Sequence, residues 1–424
     1  MTRRRIFCTA FVVLVLTASA FASQLLFSSP SDFLAGQGPV ALFAADLDGD
    51  GDNDLVVANN ADETISIMKN NGDGIFAPKV DYLTGIDPLS VFAADLDQDG
   101  DFDIAVANAN NHNVSVFFNN GDGTLAPRVD YATGNNPYSV FVADFDGDGD
   151  PDLVTANFGS DNVSLLKNNG NGTFASKIDY PAGLSPASVF GSDLDGDGDV
   201  DLVLGNQLIL KNNGAGAFAF ENGFGSGSAG SVFAADLDGD SDPDLLAATN
   251  LSVSVFRNEG AFNFVPSGSF GSGSKSVYAA DLNGDRFRDL AASMGNDVLV
   301  LSNSGNGTFA SGTQPSIGGL AGGVVASDLD GDGDLDLAVT NGNQDAVSIL
   351  KNLTNVPVCA VAKGDLNGDG NLSPSDVVLM LGCVFASGVN CDLCFTDSNC
   401  DGNLSPSDVV NELSAVFSAA PFPC

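Results

Sequence analysis

The sequence predicts an all-β seven-bladed β-propeller followed by a small C-terminal all-α domain. Three observations carry that prediction. The decapeptide DLDGDGDNDL, Asp46 to Leu55, returns six more times, with first aspartates at Asp46, Asp95, Asp144, Asp193, Asp236, Asp281 and Asp328. Their spacing of 49, 49, 49, 43, 45 and 47 residues is the period of a repeat architecture. Each period holds four short β-branched and aromatic runs split by Gly, Asn and Asp turns, without helical periodicity. Past Val358 that pattern stops, and a different pair of loops, 32 residues apart, takes over.

From the N-terminus, Arg3, Arg4 and Arg5 precede the apolar run Phe11 to Leu16, and Ala20-Phe21-Ala22 offers a small-x-small cleavage site. Residues 1–22 therefore read as a bacterial-type export signal. The apolar run is too short to span a bilayer, and no later stretch is long enough. The expected product is secreted or held at the cell surface, with no membrane span once the signal is removed.

The propeller is assigned to residues 23–356, and its second repeat serves as the type. Ser90 to Ala94 reads as a first strand, followed by the acidic loop Asp95 to Asp103. Ile104 to Asn108 reads as a second strand, Asn113 to Asn119 as a third and Pro127 to Tyr131 as a fourth, after the turn Gly121 to Gly123. Four strands per period of this length describe one propeller blade. The segment Phe27 to Asp46 aligns without gaps on Phe76 to Asp95. The chain is thus expected to start with the fourth strand of a blade whose other strands lie near Val324 to Leu350. Such a donation removes the two edges an open array would expose.

Alternate carboxylates ending in an Asp eight positions after the first, with a glycine at the turn, can wrap a hard cation in oxygen ligands. The candidate Ca²⁺ ligands are Asp46, Asp48, Asp50 and Asp54 in blade one, and Asp95, Asp97, Asp99 and Asp103 in blade two. Blades three and four offer Asp144, Asp146, Asp148 and Asp152, then Asp193, Asp195, Asp197 and Asp201. Blade five has Asp236, Asp238, Asp240 and Asp244, with Ser241 where the turn wants glycine. Blade six has Asp281, Asn283, Asp285 and Asp289, with Arg286 in place of the glycine and Arg288 beside it, so weaker binding is expected there. Blade seven has Asp328, Asp330, Asp332 and Asp336. Formal net charge is −40, and 33 of the 55 acidic residues lie in these seven decapeptides. Such acidity argues against nucleic acid as a partner. Its confinement to one phase of the repeat argues for bound cations over general surface acidity.

These residues resemble the FG-GAP, or VCBS, repeats of integrin α-subunits and many bacterial surface proteins, over about 330 residues. The family's calcium loop, D-x-D-x-D-G-x-x-D, matches in blades one to four and seven. The resemblance implies a calcium-binding propeller with roles in adhesion or carbohydrate binding.

The C-terminal domain is assigned to residues 357–424. Asp365, Asn367, Asp369, Asn371, Ser373 and Asp376 place oxygens at positions 1, 3, 5, 7, 9 and 12 of an EF-hand loop, with Gly370 at position 6. Asp397, Asn399, Asp401, Asn403, Ser405 and Asp408 do the same around Gly402. The candidate ligands taken from them are Asp365, Asn367, Asp369 and Asp376, and Asp397, Asn399, Asp401 and Asp408, which raises the expected count to as many as nine Ca²⁺. Each loop runs into a helix start, Ser373-Pro374-Ser375-Asp376 and its copy Ser405 to Asp408. An apolar stripe through Val377, Leu381 and Val384 is matched 32 residues later by Val409, Leu413 and Val416. The duplicated loop-plus-helix resembles a type I dockerin over about 60 residues, which implies docking on a cohesin-like module. All six cysteines after the signal, Cys359 to Cys424, fall in this domain. In an exported chain they read as three disulfides, with 15 pairings open.

No catalytic residue is assigned. His112 is the sole histidine and reads as a solvated loop residue. Asp32, Asp81, Asp130 and Asp179 recur 49 residues apart and read as fourth-strand structure, not as a carboxylate pair. In an up-and-down blade the acidic loops share one face with the strand three–four turns. The opposite face carries residues 108–113, 157–162 and 341–346 and the connections holding Pro88, Pro137 and Pro186. Variable loops on a rigid ring are where recognition is expected. The expectation is an exported, non-catalytic protein that binds a protein or glycan on this variable face and joins a cell-surface assembly through its tail. The alternatives are a tethered carbohydrate-active enzyme, a polysaccharide lyase or glycosidase, and a purely structural surface or matrix protein.

Overall fold

Each repeat folds into one four-stranded antiparallel sheet, and seven such sheets make up the described part of the computed structural model. It describes residues 25–225, 227–310 and 312–354. The export signal of residues 1–22 and the domain of residues 357–424, with its calcium loops, helices and cysteines, lie outside the described residues.

The second blade runs Pro88–Ala94, Asp103–Asn108, Asn113–Phe117 and Val129–Ala132, against the expected starts at Ser90, Ile104, Asn113 and Pro127. First strands begin two residues early, next to a register shift, and in blades one to three the first strand position is taken by Pro39, Pro88 and Pro137. A strand start or a bulge is where proline is tolerated, since no ladder donor is needed there. Third strands end early, at Phe117 in blade two, but Asn119 still bridges Leu125 across the turn.

The ring closes as the sequence alignment implied. Ser31–Leu34 pairs antiparallel with Ala346–Leu350, in register Ser31 to Ile349 and Leu34 to Ala346. The last sheet is therefore built from both ends of the repeat array, and Phe27 adds a bridge to Asn352.

Second strands are buried along their whole length in blades one to four and seven, because both faces of each sheet meet a neighbouring blade. Fourth strands are mostly exposed. The core is consequently divided into wedges between blades: Val56, Ala58 and Ile67 pack on Val91, Ile104 and Val106, for example. Around the axis the first strands contribute a chain of aromatic contacts, Phe43–Phe92 at 4.7 Å, Phe92–Phe141 at 5.1 Å and Phe141–Phe190 at 4.9 Å. Phe190–Phe233 at 4.6 Å and Phe233–Tyr278 at 5.0 Å continue it to blade six, and Val325 follows in blade seven.

The candidate metal loops and the belt beneath them

The acidic loop is shaped by its own backbone donors. Asp46 accepts hydrogen bonds from the Gly49 N–H at 2.8 Å and the Gly51 N–H at 3.0 Å, and Asp50 accepts one from Asp52 at 3.0 Å. All seven loops keep the bond from the sixth residue to the first aspartate, at 2.7 Å from Arg286 to Asp281 and 3.1 Å from Ser241 to Asp236. Holding it requires a left-handed sixth residue, with φ of 96° at Gly51, 77° at Ser241 and 76° at Arg286. A Cβ on Gly51 would meet no atom within 4 Å, so the glycine is wanted for its φ and not for space. Blades five and six therefore keep the loop shape at the cost of strain.

The structure gathers the predicted ligands. Carboxylate oxygens of Asp46, Asp48 and Asp50 lie within 4.8 Å of one another, as do those of Asp95, Asp97 and Asp99 and of Asp193, Asp195 and Asp197. In blades three and five the gathered sets are Asp144, Asp146 and Asp152, and Asp236, Asp238 and Asp244, which bring in the ninth-position aspartate. The third-position aspartates are the telling ones. Oδ1 of Asp48, Asp97, Asp146, Asp195, Asp238 and Asp330 is buried and accepts no hydrogen bond. Orphaned carboxylate oxygens are costly unless a cation or a donor meets them. One such oxygen in each of six loops, on a residue grouped with further carboxylates, fits a hard divalent cation.

Blade six is built differently. Its third position is Asn283, whose Nδ2 donates to Ser302 Oγ at 3.0 Å and lies 3.4 Å from Asp289 Oδ1. An amide donor thus approaches the ninth-position carboxylate that a cation would otherwise face.

A second group was not singled out from the sequence. Lys69, Lys167 and Lys351, each at the end of a third strand, pair with the third-position aspartates Asp48, Asp146 and Asp330 at 3.1, 2.8 and 3.1 Å. Lys211 pairs with Asp195 and, at 3.0 Å, with Asp197, and Arg257 lies 3.8 Å from Asp238. The signal was present, since a Lys or Arg directly before an Asn recurs at this phase of the repeat in five blades, while Phe118 and Ser302 stand there in the other two.

The ninth-position aspartates have a structural duty of their own. Asp54 is fully buried and accepts N–H donors from Leu47 at 3.0 Å and from Asn70 at 2.7 Å. Asn70 in turn donates its amide to the Leu329 carbonyl of the preceding blade at 2.8 Å. The same donation runs from Asn119 to Leu47, Asn168 to Leu96, Asn212 to Phe145, Asn258 to Leu194, Asn303 to Leu237 and Asn352 to Leu282. Seven identical links close a belt that joins each acidic loop to the next. Burial pushes the carboxyls of Asp54, Asp201, Asp244 and Asp289 up to about 6, against the two N–H donors that pull each one down. The same causes carry Asp103, Asp152 and Asp336 to about 7.

The remaining candidates are placed as expected. Asp81, Asp130 and Asp179 accept from the strand-three hydroxyls of Ser66, Ser115 and Ser164 at 2.7, 2.6 and 2.6 Å, and Ser348 donates likewise to Asp32 at 2.5 Å. They are fourth-strand anchors. His112 is exposed, and its Nδ1 accepts the Asn136 N–H at 3.0 Å, joining two connections of the variable face.

A closed ring of seven four-stranded repeats, each carrying an acidic loop at one phase, defines a repeat β-propeller. The chain belongs to the FG-GAP-like repeat family, whose model matches residues 46–106, 102–155, 144–204, 236–292 and 281–339. No curated protein matches the sequence. Among solved structures, BBS1N in complex with ARL6DN is similar over 77% of this chain and 97% of its own, at 14% identity and a TM-score of 0.57. A catalytically inactive virginiamycin B lyase from Staphylococcus aureus is similar over 77% of this chain and 99% of its own, at 13% identity and a TM-score of 0.52. An Agrocybe aegerita lectin that recognises terminal N-acetylglucosamine covers 67% of this chain and 81% of its own, at 24% identity and a TM-score of 0.49. The first two likenesses speak to the fold alone.

Proposed function

We propose that this chain is an exported, non-catalytic binding protein, a calcium-loaded propeller that meets a protein or glycan on its variable face. Its tail would join it, dockerin-like, to a cohesin-like module or another cell-surface assembly. The observation that carries the calcium reading is the buried, unpartnered Oδ1 found at the third position of six loops. The cation would be held by the first, third and fifth residues of each loop with the ninth beside them, as in Asp46, Asp48, Asp50 and Asp54. Ca²⁺ would neutralise a cluster that otherwise repels itself, leaving the lysines at the third-strand ends as outer partners.

Binding is supported by the central cavity, whose lining of serines, Tyr138 and Lys275 offers hydroxyls, an aromatic ring and an ammonium to a ligand. The test is metal analysis of the protein after dialysis in calcium. Up to nine Ca²⁺ per chain are expected, seven from the propeller with blade six the weakest, and two from Asp365 and Asp397 and their partners. Replacing Asp365 and Asp397 with Ala should remove two equivalents and leave the propeller's melting transition in place. Two ions or fewer on the unmodified chain would overturn the calcium reading.

A further inference from the structure

The axis of the ring holds a cavity of about 460 Å³, open at the variable face. Its wall is made by the first strands, and five blades place a serine there: Ser90, Ser139, Ser188, Ser231 and Ser276. Four of these hydroxyls already accept a backbone N–H from the next blade, Val140 on Ser90, Val189 on Ser139, Val232 on Ser188 and Val324 on Ser276, at 3.2–3.3 Å. An accepting hydroxyl keeps its own proton to donate. The wall therefore presents a ring of donors.

One cation joins that ring. Lys275 lines the cavity and is exposed, and it forms no ion pair among the described residues. In a chain of net charge −40, eight of the eleven lysines and arginines in the described segment are ion-paired. Lys275 is left facing a cavity instead. The corresponding positions of the flanking blades are Gly230 and Gly322, so no neighbouring side chain at that position covers its ammonium. Another part of the rim carries Tyr138, whose ring stacks on Phe158 at 4.5 Å and 8° and forms a flat apolar platform. The aromatic chain of Phe92, Phe141, Phe190 and Phe233 lies two residues further along the same strands, towards the acidic-loop face.

We infer that this cavity binds an acidic saccharide, with the carboxylate on Lys275, hydroxyl oxygens on the serine ring and a sugar face on Tyr138. This inference rests on the binding-protein reading above and names its ligand class. A lining of donors and one ammonium, without carboxylates, selects an acceptor-rich anion over a neutral or cationic ligand. The volume lies in the range of small-molecule sites and suits one or two sugar units. A flat ring beside polar donors is a fitting surface for the apolar face of a sugar.

The experiment is titration calorimetry on the calcium-loaded full chain with glucuronate- and galacturonate-containing disaccharides, against the neutral glucose and galactose counterparts. At least one uronate disaccharide should bind at least tenfold more tightly than its neutral counterpart, and more weakly as salt is raised. Lys275→Met should reduce that affinity at least tenfold, and Tyr138→Ala severalfold, with melting temperatures close to the parent. Failure of every uronate to bind, equal binding of uronate and neutral sugar, or unchanged affinity in Lys275→Met would each overturn the assignment. A glycan array probed with the same protein separates the two levels. Binding of other glycans that survives Lys275→Met would sink this site and leave the binding reading standing. Preference for acidic peptides over uronates, measured in the same calorimeter, would count against a saccharide.

Discussion

A single backbone angle decides how well each acidic loop is made. The sixth residue must be left-handed for its N–H to reach the first aspartate, and five loops supply glycine there. Ser241 adopts a φ of 77° at that position. The left-handed conformation costs an L-residue roughly 1–2 kcal/mol, so Ser241→Gly is expected to stabilise the protein by about 1 kcal/mol. Thermal denaturation in calcium reads this directly, and a lower melting temperature would mean the serine hydroxyl contributes something else. Blade six cannot be repaired by one change. Arg286→Gly would relax the backbone, yet Asn283 would still turn an amide toward Asp289. The substitutions themselves were visible in the sequence. Where the amide points was not, because that depends on Ser302, nineteen positions away on another strand.

The joint between blades is the element on which the ring depends. Asn168 is buried and donates to the carbonyls of Leu96 and Pro151 at 2.8 and 3.0 Å, while its Oδ1 accepts from Gly170. Asn168→Ala strands the buried Leu96 carbonyl, at a cost of about 1–3 kcal/mol, and loses the weaker, part-buried bonds to Pro151 and Gly170. A loss of about 2–4 kcal/mol is therefore expected in denaturant titration. Asn171→Ala, in the exposed turn of the same blade, should lose less than about 1 kcal/mol. Equal effects would mean that the belt does not hold the blades together. Strand existence and order, the acidic loops and the donated first strand were all legible, since each leaves a mark at a fixed phase of a repeat. The asparagine belt and the lysine pairs leave such a mark too, in the recurring Lys-Asn. Their meaning was hidden because the partners meet only across strands or across blades.

For the whole molecule, the ring is a closed belt carrying a surplus of negative charge on one face. Seven ninth-position carboxyls stand at about 6 or 7 in the metal-free fold, against 3.8 as their ordinary value. A raised folded value means the fold favours the protonated form. Metal-free protein should therefore gain stability as pH falls from about 8 to 5, and lose that gain as pH rises through 6 to 7. With calcium bound the sign reverses, because the ion needs the carboxylates ionised and protons displace it. Melting curves across that range, with and without calcium, should slope in opposite directions. Parallel slopes would place the ions away from these groups.

If calcium holds the propeller together, removing it must lower the melting temperature. Each site filled at a hundred times its Kd adds about 2.7 kcal/mol to the native state. Stripping the ions at pH 7.5 should accordingly lower the melting temperature of the propeller strongly. Calcium should restore it, and Mg²⁺, which demands octahedral geometry and holds its waters, should restore it poorly. A melting temperature that chelation leaves unmoved would rule calcium out as the clamp, and would make the seven loops hydrogen-bonded turns that happen to be acidic.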